Sequence, residues 1–149
     1  MIDSDNVLLL RPSRPLGGFA PPPRAVVDAE PGVVIATVHT LRAPDPTAFI
    51  EMFERAWLPL LWDADIAVVA TLVSESAPNN FPALPVRTGE SVFVWISRHA
   101  SLQGATEAQA RLDEALDWSP SFGDELASHL ARPIEVLRLQ PTARSRLRG

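Results

Sequence analysis

Three stretches of this chain place apolar side chains at consecutive positions, where a strand with one wet face would alternate them with polar ones. In Val33–Leu41, Val34, Ala36 and Val38 fall on one side and Val33 and Ile35 on the other. In residues 66–74, Ile66, Val68, Ala70 and Leu72 oppose Ala67, Val69, Thr71 and Val73. In residues 91–98, Val92, Val94 and Ile96 oppose Phe93 and Trp95. Successive side chains of a strand point to opposite faces, so each of these strands is expected to be buried on both. An antiparallel sheet ordinarily leaves one face to water. These strands therefore call for two covers.

The helices supply one of them. Asp45 can cap a helix whose first turn accepts Pro46. Phe49, Met52, Phe53, Ala56, Trp57, Leu60 and Leu61 then recur at three- and four-residue spacings, with Glu51, Glu54 and Arg55 largely opposite. Pro59 lies inside that pattern and predicts a kink or a broken last turn. A second helix is expected over 106–116, where Thr106 and Gln109 have capping-box spacing and Ala105, Ala108, Leu112, Ala115 and Leu116 form the stripe. A shorter helix is expected over 122–130, ended by Pro133, before a last strand over 134–139. The order β-α-β-β-α-β predicts an α+β, ferredoxin-like fold, a four-stranded antiparallel sheet with both helices on one face.

That layering leaves the other apolar face uncovered. About six medium or large side chains left in water would forgo on the order of 1.5 to 3 kcal/mol each, against a total stability of about 5–15 kcal/mol. Sheet-to-sheet packing on a second copy is the expected cover. The competing cover is the proline-rich segment 12–31, through Leu16, Phe19, Val26 and Val27.

One phrase occurs at both ends of the chain. Val7-Leu8-Leu9-Leu10-Arg11-Pro12-Ser13 and Val136-Leu137-Arg138-Leu139-Gln140-Pro141-Thr142 share Val, Leu, Leu and Pro in register, followed by a Ser/Thr exchange. The expected organisation is a strand remnant and Pro-rich linker over 1–31, a domain over 32–142 and a basic tail over 143–149 carrying Arg144, Arg146 and Arg148. The opening strand is then the close of a sister module, with Met1 an internal methionine.

Composition bounds the partners. A net charge of −5 over 149 residues opposes nucleic-acid binding, which needs a clustered positive field. The absence of cysteine removes disulfides and thiolate chemistry. No apolar run approaches the ~20 residues of a membrane span, and no signal pattern opens the chain, so the expected location is cytoplasmic.

Phe53-Glu54-Arg55-Ala56-Trp57-Leu58-Pro59-Leu60-Leu61, Val92-Phe93-Val94-Trp95-Ile96-Ser97-Arg98 and Glu135-Val136-Leu137-Arg138-Leu139 resemble the NIPSNAP family, of the dimeric α/β-barrel group of ferredoxin-like proteins. The resemblance covers about residues 33–142. The loop over 77–87 is similar to a bacterial subgroup, and residues 3–12 look like the end of the first module in tandem members. The resemblance implies a barrel built by self-association through the sheet face, and leaves the activity open because the family has no settled catalytic signature.

The barrel group includes cofactor-independent monooxygenases and haem-degrading proteins whose pockets use Trp, Asn or His. Here the corresponding pocket candidates are His39, Asn79, Asn80, Trp95, Arg98 and His99. Imidazole can act as a base near neutral pH and an amide can orient an oxygenated substrate. The structural readings of the same residues are core or interface for Trp95, strand ends for His39 and His99, and turn formers for Asn79 and Asn80. His39, His99 and His129 lack metal-site spacing, no serine sits in a nucleophile elbow and no glycine cradle for phosphate is present, so no metal and no cofactor are expected. The favoured reading is a module of uncharacterised biochemical role that binds a small molecule or a partner. The alternative is a small cofactor-independent monooxygenase-like enzyme acting on an apolar aromatic substrate beside His39, Trp95 and Arg98. A pocket that brings His39 to Asn79 or Asn80 would favour the enzyme, and an interior filled by side chains the module.

Overall fold

The β-branched run Val33–Leu41 forms the expected strand, β2, and pairs along its whole length with β4, Ser91–His99, in the antiparallel register Val33↔His99 to Leu41↔Ser91. The computed structural model describes residues 7–15, 18, 32–80, 83 and 86–142. β4 pairs on its far side with β3, Ala67–Ser74, and β2 pairs on its far side with β5, Glu135–Leu139. These four strands are the ferredoxin-like set. A fifth, β1, Leu10–Pro12, joins antiparallel to β3, so the sheet order is β1-β3-β4-β2-β5. The expected four-stranded sheet is thus extended by the opening phrase, which is paired and not spare. The remainder of segment 1–31 that was read as linker, including Leu16, Phe19, Val26 and Val27, lies outside the described residues, as does the basic tail 143–149.

The crossover from β2 to β3 is one continuous helical rod of three parts. α1, Thr47–Met52, begins where Asp45 Oδ1 accepts from the Thr47 amide at 2.9 Å and from the Thr47 hydroxyl at 2.6 Å. A π-helical turn, Phe53–Trp57, follows, and then α2, Leu58–Asp63. The sequence predicted a kink or a broken last turn at Pro59. The last turn is not broken, and a wide turn of the kind at which helices kink lies just ahead of the proline: Leu58 N–H reaches back to the Phe53 carbonyl, the i→i+5 spacing of a π-bulge. Pro59 has no amide to give to a preceding carbonyl, so the wider turn absorbs the missing bond.

The second crossover carries α3, Leu102–Asp117, and α4, Pro120–His129. α3 starts a turn earlier than expected because Ser101 is the N-cap, its hydroxyl accepting from Gly104 N–H at 3.0 Å. Thr106 and Gln109 lie inside the helix, where Thr106 bonds the Leu102 carbonyl and Gln109 bonds Asp113. On the helix side, Phe49, Phe53, Trp57 and Leu61 pack with Phe93 and Trp95 of the sheet and with Leu112, Phe122 and Leu126 of α3 and α4.

β3 departs from strict alternation. Its register against β4 shifts between Val68 and Ala70, so Val68 stands opposite Ser97 and Ala70 opposite Ile96. One extra residue, Val69, inverts the faces beyond it. Ile66, Val68 and Val73 therefore pack in the helix-side core, while Ala70 and Leu72 belong to the opposite face, which corrects the even-numbered set expected to share one side.

The opposite face is closed within a single chain. Val34, Ala36, Val38, Ala70, Val92, Val94 and Ile96 form a second buried cluster, with Leu8, Leu10, Val69 and Leu72 partly buried against it. Val92 is fully buried. The desolvation argument for covering this face with a second copy is therefore met without one. What stays exposed lies on the edge strand: Leu137 at 51% and Leu139 at 49%, in register with Ala36 and Val34 of that cluster.

Candidate functional site

β2 and β4 bring two of the predicted pocket residues into direct contact. Thr37 stands opposite Trp95 and His39 opposite Phe93, which makes His39 and Trp95 diagonal neighbours on the helix side of the sheet. Trp95 Nε1–H donates to His39 Nε2 at 3.0 Å. His39 is fully buried, ringed by Phe49 at a centroid distance of 5.2 Å, Trp57 at 5.7 Å and Phe93 at 6.1 Å.

This geometry fixes what the imidazole can do. An indole nitrogen only donates, so Nε2 of His39 is the acceptor and Nδ1 carries the hydrogen. Burial pushes the His39 pKa down to about 4, because the apolar surroundings disfavour the charged ring, and the residue is neutral at pH 7. Its one lone pair is already engaged. A general base or a metal ligand needs that lone pair free, so His39 as placed serves neither role.

Nδ1 of His39 and Nε1 of Trp57 are buried hydrogen-bond donors without a partner. Such groups are uncommon in proteins, and Trp57 sits on the π-helical turn. The pattern alone could have flagged Trp57, which recurs in the apolar stripe of the first helix, but nothing in it ties that indole to His39.

The other candidates are dispersed. Arg98 is exposed and lies three positions from Trp95, an odd step along one strand that sends it to the other face. The expected trio of His39, Trp95 and Arg98 is thereby broken up. His99 ends β4, its Nε2 is 2.9 Å from the Ser97 hydroxyl, and burial lowers its pKa. Ser97 is buried and follows Trp95 by two, a same-face spacing. Asn80 is exposed and Asn79 half-buried in the β3–β4 loop. Neither bonds the unpartnered Nδ1 of His39.

Among solved structures, a NIPSNAP family protein of unknown function from Agrobacterium tumefaciens matches with a TM-score of 0.58 at 19% identity, covering 76% of this chain and 90% of that one. A second NIPSNAP family protein from the same organism matches with a TM-score of 0.57 at 18% identity, covering 78% and 98%. The fold is of the NIPSNAP type. An uncharacterized NIPSNAP domain protein from Burkholderia xenovorans adds a TM-score of 0.58 at 14% identity over 76% of this chain and 97% of that one. A dimeric ferredoxin-like protein from an uncultured marine organism matches at 0.51 and 12% identity, over 76% and 90%. No family model matches the sequence, and no curated protein matches it.

In this NIPSNAP-type fold His39 lines neither of two surface cavities. The larger, of about 410 Å³, is an open groove between α3 and β5, floored by Ile35 and Ala105 and flanked by Gln109, Asp113, Val136 and Arg138. The smaller lies at the end of α4 beside Phe49 and His129. Among the described residues, no three His, Cys, Asp or Glu side chains converge on a point that could hold a metal ion, and no helix is long and apolar enough to cross a membrane.

Proposed function

We propose that this chain is a NIPSNAP-like binding module that works by association with a second ferredoxin-like module and catalyses no reaction at His39. The observation that carries the reading is the contrast between interior and edge. The interior is filled where an oxygenase would need room, with His39 closed in by Phe49, Trp57, Phe93 and Trp95. At the sheet edge, β5 is exposed along its whole length and carries Leu137 and Leu139 half in water. An edge strand with unpaired backbone groups and apolar side chains is a template for strand addition. The dimeric ferredoxin-like protein among the structural matches supports self-association as the form this takes.

Sedimentation equilibrium of the full chain tests the proposal. Concentration-dependent dimerisation is expected, weakened at least tenfold by Leu139→Asp. Titration with a quinol and with haem is expected to leave absorbance and melting temperature unchanged. A ligand-dependent shift that His39→Gln abolishes would revive the oxygenase reading.

A further inference from the structure

The phrase shared by the two ends of the chain takes opposite edges of one sheet, and the hydrogen-bonding phase of the two copies is the same. In β1 the Ser13 amide donates to the Thr71 carbonyl at 2.9 Å and the Glu75 amide to the Leu9 carbonyl at 2.8 Å. With Arg11 opposite Val73, the alternation of an antiparallel ladder aims the backbone of Leu9, Arg11 and Ser13 at β3. The matching residues of the closing phrase are Arg138, Gln140 and Thr142.

On β2 the Thr40 carbonyl accepts from Ala131 and the Arg42 amide donates to His129, so even-numbered residues of β2 face the β5 side. Val34, Ala36 and Val38 pair with Leu139, Leu137 and Glu135. The backbone of Glu135, Leu137 and Leu139 is thus used within the chain, while that of Val136 and Arg138 points outward. The free groups of β5 are the ones whose β1 counterparts bind β3.

The side chains agree. Leu8 and Leu10 pack against the second buried cluster beside Leu72, and their counterparts Leu137 and Leu139 lie on the same face, half exposed. Pro12 stands opposite Leu72 in the phase that needs no amide, and Pro141 repeats it. The Ser13 hydroxyl lies 2.6 Å from that of Thr71, and Thr142 carries a hydroxyl at the matching place. In the β1 register Arg138 would face Glu75, an opposite-charge cross-strand pair where β1 offers only Leu9.

We infer that the β3 edge is a docking site for this phrase, that β5 of a second copy is its occupant in trans, and that β1 holds it in cis as a built-in competitor. Two copies related by a two-fold axis would each insert β5 at the other's β3 edge. Arg14, which grips Glu54 through two 2.8 Å contacts, fastens β1 in place; the closing phrase has Ala143 there. This rests on the association proposed above and adds its site and its restraint.

Arg11→Pro tests it, because that substitution removes a donor aimed at β3 from an exposed residue and leaves both cores untouched. By sedimentation equilibrium, Arg11→Pro is expected to dimerise at least tenfold more tightly than the full chain, and Arg11→Ala no differently from it. Arg138→Pro, whose missing amide points away from β2, is expected to cancel the gain while far-UV circular dichroism stays unchanged. A peptide of residues 134–142 gives a reading that needs no variant to fold: added to the wild-type chain, it is expected to speed hydrogen exchange at the Ser13 amide at least tenfold. Equal association of Arg11→Pro and wild type, with Ser13 indifferent to the peptide, overturns the competitor and leaves association standing. No association in any of these chains up to about 1 mM, a free energy of about −4 kcal/mol, overturns both.

Discussion

His39 shows how little room a single residue has once its neighbours are set. The folded chain holds its pKa near 4 through burial, while the unfolded chain takes up a proton near the ordinary value of about 6.5. Between those values the unfolded state binds more protons, so stability rises with pH there. The contribution is complete above pH 6.5 and is lost as the pH falls toward 4, by about 3 kcal/mol for a shift of this size. Burial lowers the His99 pKa as well, which acts in the same direction. Urea unfolding between pH 7 and 4 is expected to show this loss, and His39→Gln, whose amide does not titrate, to flatten it. A stability independent of pH over that window would mean that His39 is reached by water. The bond from Trp95 to His39 spans two strands and depends on their register, and nothing local in the chain announces it. The separation of Arg98 from Trp95, by contrast, was legible from parity alone.

Elements were legible where one signal stood unopposed and misread where two competed. β2 matches its expected bounds because nine residues dense in β-branched side chains end before Ala43-Pro44. α3 was placed a turn late because Thr106 and Gln109 imitate a capping box, while the true cap, Ser101, has no Glu or Gln three positions on. Ser101→Ala is therefore expected to lower stability by about 1 kcal/mol, read as a drop in the midpoint of chemical unfolding with an unchanged slope; Thr106→Ala, outside the cap, is expected to change it by less than half as much. The π-turn ahead of Pro59 was invisible because the apolar spacing of three and four is the same for a regular helix. Asp65, at φ 62° in the turn that follows α2, adopts the left-handed conformation that Asp tolerates better than most side chains.

At the scale of the whole molecule, the chain order predicted the layering and the apolar strands predicted two covers. The layering holds, and the two apolar faces of the strands each form a buried cluster. The candidate site was less legible, because its members are scattered over β2, β4 and a loop, and only the folded register decides which of them meet. The doubled phrase was legible as a repeat, yet the sequence could not say that its first copy lies against β3. Opposite edges of one sheet thereby carry equivalent strands, one paired to β3 and the other to β2. In the docking proposed above, partner recognition depends on the balance between an intramolecular strand and an intermolecular one, so it is expected to respond to concentration more than to any single contact.

The bulge at Val69 has a consequence of its own. It acts as a parity switch: shortening β3 by one residue at that point would restore regular pleating and rotate everything before it by half a turn, swinging Ile66 and Val68 away from the aromatic interior and pulling the end of α2 with them. Substitution of Val69 leaves the count intact, whereas its removal changes the count. Deleting Val69 should therefore abolish cooperative unfolding while Val69→Ala is tolerated, a contrast that a pair of thermal melts would reveal. In this part of the molecule, the number of residues constrains the fold more strictly than their chemistry.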